Sequence, residues 1–71
     1  MRYYDRGAVY FDDCEIMATT DQAKLVHIPD IDTEPVWVPR SQCHRDGEIH
    51  LTGETGLFAV SKWWAEKQEW V

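Results

Sequence analysis

Apolar positions in this chain fall in short runs broken by glycine, proline or paired acidic residues, a spacing suited to short β-strands rather than long helices. The first run, Ala8-Val9-Tyr10-Phe11, predicts a strand that the Asp12-Asp13 pair ends. Glu15 to Thr20 and Gln22 to Ile28 are two further β-prone segments around a polar turn near Asp21. In the second of these, Ala23, Leu25 and His27 share one face and Val26 and Ile28 the other, as expected of a central strand covered on both sides.

Pro29 and Pro35 bracket Asp30-Ile31-Asp32-Thr33-Glu34. Proline removes a ladder donor, so this stretch is expected as a turn or an exposed edge. Val36-Trp37-Val38 then reads as a strand with its valines on one face and Trp37 on the other, stopped by Pro39. Arg40-Ser41-Gln42 suits a helical turn. Asp46-Gly47 is a turn signal and Glu48 to Thr52 alternates polar with apolar, so residues 42–52 predict a hairpin. Gly53 and Gly56 flank another turn before Leu57-Phe58-Ala59-Val60.

The period changes near the C-terminus. Ser61 is a suitable N-cap for a helix that runs to about Trp70. Trp63, Lys67 and Trp70 share a face at i, i+4 and i+7, with Trp64 and Val71 about 100° around from it. A helix this short needs tertiary packing, so its tryptophans are expected to face the sheet. The fold class is therefore α+β: a small antiparallel sheet or partly open barrel of five to six short strands with one C-terminal helix at about 61–70. One domain spans 1–71, and residues 1–14 read as an added N-terminal arm or edge strand.

Length sharpens this picture, because 71 residues hold one core and no second domain. Four Trp, three Tyr and two Phe supply much of it, since each buried ring removes roughly 150–250 Å² from water. Thirteen acidic against seven basic residues leave a net charge of −6, the wrong sign for affinity that rests on neutralising phosphates. Direct nucleic-acid binding is disfavoured. Tyr3, Tyr4, Tyr10 and Trp37 would suit a single-strand binder, but Arg2, Arg6, Lys24, Arg40, Arg45, Lys62 and Lys67 are dispersed and form no basic groove. No apolar run approaches the roughly 20 residues of a membrane span. No secretory leader precedes Cys14, so Cys14 and Cys43 are expected as reduced thiols in the cytoplasm.

Candidate chemistry is sparse. Cys14, His27, Cys43, His44 and His50 are zinc-ligand types, but none forms the paired short spacing of structural zinc sites. Counted from Asp30, a calcium loop would need Gly where Pro35 stands and Glu where Ser41 stands. No signature surrounds a candidate nucleophile such as Ser41, Cys14 or Cys43, and the glycines at 7, 47, 53 and 56 form no phosphate loop. No cofactor, metal or catalytic residue is assigned. What remains is an anionic set. Asp30, Asp32 and Glu34 would stand about 6.6 Å apart along one face of an extended strand, and Asp12, Asp13 and Glu15, or Asp46 and Glu48, would have to join them to imitate a nucleic acid. Trp37 is the candidate aromatic anchor.

Ala23-Lys24-Leu25-Val26-His27-Ile28, then Val36-Trp37-Val38-Pro39-Arg40-Ser41-Gln42, then Trp63-Trp64-Ala65-Glu66-Lys67 resemble a pattern in small proteins of phages and other mobile elements. The resemblance covers most of 15–70, carries no catalytic residue, and implies a bacterial host cell. In that setting the size and charge are similar to those of anti-CRISPR proteins. This implies an inhibitor that binds a host protein or effector complex at its basic nucleic-acid-binding surface, through Asp12, Asp13, Glu15, Asp30, Asp32, Glu34 and Trp37. The alternatives are an accessory nucleic-acid-binding module of phage replication or recombination, and a structural dimerisation module.

Overall fold

A computed structural model of the chain describes residues 2–5 and 7–70, the first four by backbone alone. Among the described residues, five strands, β1 (Arg2–Asp5), β2 (Ala8–Thr19), β3 (Ala23–His27), β4 (Val36–Pro39) and β5 (Thr55–Ser61), are followed by one α-helix, α1 (Lys62–Lys67). Every pairing is antiparallel, in the order β1-β2-β3-β4, with β5 on β2 as well. The architecture is thus an antiparallel sheet with a short C-terminal helix, as expected of the α+β class.

Asp12-Asp13 does not end the first strand; β2 runs through it. Between Phe11, opposite Phe58, and Cys14, opposite Gly56, β2 advances three positions and β5 only two. The extra residue is a bulge, and Asp13 adopts a left-handed φ of 60° there, a conformation that aspartate tolerates better than most side chains. The bulge resets which residues face the core. Val9 and Phe11 face it before the bulge, and Cys14 and Ile16 face it after. Uninterrupted alternation from Phe11 would have turned Asp13 and Glu15 inward. A second extra residue lies between Ile16, opposite Val26, and Ala18, opposite Leu25, and leaves Met17 exposed. Two bulges bend one long strand so that its first half pairs with β1 and its second half with β3.

The predicted hairpin over 42–52 does not form. Arg40–Gln42 is the expected helical turn, here a 3-10 helix, and the chain after it pairs with β5 instead of with itself. Cys43 bridges Val60, the His44 N–H donates to the Ala59 carbonyl at 2.8 Å, and the Glu48 N–H donates to Leu57 at 2.7 Å. Val60 pairs with Val9 on its other edge, so this contact carries the sheet round from β4 to β5. Gly47 permits the approach, since a Cβ there would lie 2.8 Å from the Ala59 nitrogen. Beyond it, the Glu54 carboxylate accepts the N–H groups of His50 at 2.8 Å and Leu51 at 2.7 Å and closes a turn. Those two bonds hold its pKa below the ordinary carboxylate value.

Inside the curled sheet, Val9, Phe11, Ile16, Val26, Ile28, Val38, Phe58 and Val60 form the main core with Cys14, Ile49 and Ala65. Ala8, Tyr10 and Ala59 make a smaller cluster on the other face of β2 and β5. Helix α1 ends at Lys67, earlier than expected, and Ser61 makes no side-chain cap bond. Glu69 turns left-handed at φ 61°, and the chain closes with Trp70 N–H to the Ala65 carbonyl at 2.9 Å and Glu69 N–H to Glu66 at 3.1 Å. This is the Schellman arrangement. It corrects the expected helical face. Trp70 folds back onto Phe11 and Trp64, at ring-centroid distances of 6.0 and 4.9 Å, both edge to face. Trp63 instead points outward, 54% exposed, with the Lys67 ammonium 5.3 Å from its ring centre.

Candidate docking face

Strand register arranges the outer face of β2, β3 and β4 into ladders. Leu25 is opposite Trp37 on one side and Ala18 on the other. With strands about 4.8 Å apart, the row Trp37–Leu25–Ala18 spans about 10 Å. Lys24, Val26 and Ile28 take the inward parity of β3, while Ala23, Leu25 and His27 are half-buried on the outside. Lys24 is buried; burial raises the pKa of the Cys43 thiol, and the Lys24 charge opposes that rise.

The apolar row is open to solvent at both ends. Trp37 is 54% exposed and Met17 43% exposed. Leu51 is also exposed, on the turn whose Gly53 N–H donates to the Ile16 carbonyl at 2.8 Å. Trp37 and Pro39 are exposed on β4, and Pro35 is exposed just before it. Neither proline has an N–H to offer a further strand, so this edge is poorly suited to strand addition.

Glu15 is opposite His27 at the end of β3 that leads into residues 29–35. Asp30, Asp32 and Glu34 are exposed there, but not as a row on an extended strand. Ile31 and Asp32 both donate to the Ile28 carbonyl, at 2.9 and 3.1 Å, which makes a turn. The Asp32 carboxylate faces back into its own loop, accepting the Glu34 N–H at 3.2 Å. The 6.6 Å spacing inferred for a strand does not apply to it. Asp12, Asp13 and Asp30 come together through a different element, since all three charges act on the buried Cys14 sulfur. Burial, then Asp30, raises that thiol to about 12; a backbone hydrogen bond involving Phe58 opposes the rise, and Asp12 and Asp13 add to it. The two bulge aspartates and the 29–35 loop therefore share one end of the molecule.

Leu25, Ala18, Met17 and His27 had not been counted with the site. Alternation along 23–27 placed Leu25 opposite Val26, but which face stays uncovered depends on the path of the rest of the chain. Tyr3 and Tyr4 as stacking platforms, and Val71 beside Trp64, lie outside the described side chains. Cys14 and Cys43 are free thiols. No group of three or more His, Cys, Asp or Glu among the described residues is placed to hold a metal ion. No helix of the described residues is long and apolar enough to cross a membrane. The class that fold and surface define is a small α+β domain with a partly exposed apolar row next to an acidic loop. Comparison with protein-family models, curated proteins and solved structures found no match for the chain.

Proposed function

We propose that this chain is a non-catalytic docking domain that covers a basic surface of a host nucleic-acid-binding complex and inhibits it, as anti-CRISPR proteins do. The observation that carries the reading is Trp37, 54% exposed at the end of an apolar cross-strand row and directly after the acidic 29–35 loop. An exposed tryptophan beside carboxylates suits a partner with apolar contact area and a cationic rim. The net charge of −6 opposes phosphate and also opposes a second copy of the chain, while drawing in a basic protein. Host, cytoplasmic setting and inhibitory outcome rest on the phage-protein resemblance of 15–70.

The test is capture of a CRISPR effector complex on the tagged protein, with and without nuclease. Effector subunits retained after nuclease, and released when Asp30, Asp32 and Glu34 are all changed to lysine, are the expected result. Retention that disappears with the nucleic acid would replace this reading with the accessory nucleic-acid-binding module. Retention unchanged by the charge reversal would remove the 29–35 loop from the interface.

A further inference from the structure

Two tryptophans of this molecule are equally exposed, Trp37 and Trp63, each at 54%. They differ in one respect. Trp63 already carries a cation, because Lys67, one helical turn on, places its ammonium 5.3 Å from the ring centre. Trp37 has neither a cation nor another ring against it among the described residues. The nearby chain is anionic. Glu34 is exposed, its carboxylate makes no bond among the described residues, and it stands three residues before Trp37, no more than about 10 Å away along the backbone.

We propose that Trp37 is the seat for an arginine of the protein partner, its guanidinium lying on the indole face and pairing with the Glu34 carboxylate. The inference rests on the docking reading above and specifies the chemistry of the group that docks. A flat guanidinium suits a flat face, since no pocket opens among the described residues to receive an inserted side chain. Arginine is favoured over lysine because a partner cation arrives hydrated, and guanidinium sheds water more readily than ammonium. Lys67 does not face that cost in the same way, since the helix holds it beside Trp63 from the start. Leu25 is the cross-strand neighbour of Trp37 on the same face, and Pro35 and Pro39 stiffen the chain on either side of it.

The experiment titrates the whole protein at low salt with a short Gly/Ser peptide carrying three arginines, and with the same peptide carrying three lysines. Indole N–H resonances are followed by NMR, with Trp37 assigned from Trp37→Phe. The arginine peptide is expected to bind about two- to five-fold more tightly and to shift the Trp37 resonance. Trp37→Leu should abolish the preference, Glu34→Gln should weaken the arginine peptide, and Trp63→Leu should change neither. Melting curves establish that each variant is folded; should Trp37→Leu unfold, Trp37→Phe and Glu34→Gln carry the comparison.

Equal binding of the two peptides, or a preference that survives Trp37→Leu, would overturn the arginine seat. If that equal binding still weakens with salt, the acidic docking reading stands without it. Binding of neither peptide would overturn the arginine seat, and the effector capture above then decides the docking reading separately.

Discussion

Cys14 lies against two main-chain oxygens, its sulfur 3.4 Å from the Phe11 carbonyl and 3.7 Å from that of Asp12. Burial first, and the carboxylate of Asp30 next, raise its pKa from the ordinary 9.0 to about 12. A thiol raised on folding holds its proton longer in the native than in the unfolded chain. Its contribution is complete below pH 9 and is lost as pH rises from about 9 toward 12. Each unit in that window costs up to about 1.4 kcal/mol. Melting temperatures from pH 8 upward should therefore fall more steeply for the wild type than for Cys14→Ala; parallel curves would assign the alkaline loss to other groups. Glu69 stores strain of another kind. A non-glycine side chain at φ 61° is disfavoured, and its negative charge sits at a helix C-terminus, where it opposes the dipole. Glu69→Gly is expected to raise stability by about 1 kcal/mol in urea unfolding, and a loss of stability would mean that the side chain has a native role.

At the scale of elements, α1 and its closing turn separate two tryptophans of similar sequence context. Trp70 is half-buried and meets Phe11 and Trp64 edge to face, whereas Trp63 meets water and Lys67. Truncation of Trp70 to alanine should cost about 3 kcal/mol, and the same change at Trp63 less than about 0.5 kcal/mol. Chemical denaturation of the two variants measures the difference directly. Comparable losses would show that α1 is held mainly by something other than the Trp70 fold-back. Strand β2 makes the corresponding point within the sheet. Its two extra residues, at Asp12-Asp13 and near Met17, let Cys14 and Ile16 enter the core while Met17 stays outside.

For the whole molecule, closure and charge set what the surface can do. The Cys43–Val60 bridge joins the end that follows β4 to the outer edge of β5, so the inner faces of the strands form one core. On the outer face, Trp37 and Met17 are exposed while Ala18 and Leu25 are half-buried. Helix α1 packs on β2 and β5 instead, which is why the Trp37 row is left uncovered. The charges of Asp30, Asp12 and Asp13 all act on Cys14, and the exposed 29–35 loop leads directly into β4 and Trp37. Under the docking proposal, the exposed carboxylates of the 29–35 loop beside Trp37 would make association weaken with salt.

Local features were legible without coordinates. Alternation along Ala23–His27, Trp37 opposite in direction to Val36 and Val38, the helical turn at Arg40–Gln42 and the presence of a C-terminal helix follow from side-chain period and from proline, which act within a few residues. The acidic balance needs no structure at all. Long-range pairing decided the rest. Whether Asp12-Asp13 ends a strand or bulges within it depends on β5, more than forty positions away along the chain. Residues 42–52 carry the alternation of a hairpin, yet His44, Glu48 and Ile49 donate to the carbonyls of Ala59 and Leu57, with Ile49 buried in the core. The direction of Trp70 turned on a left-handed Glu69 that helix periodicity does not describe. The outward direction of Trp37 was set by the sequence, and its exposure by the tertiary path that carries α1 to the other side of the sheet.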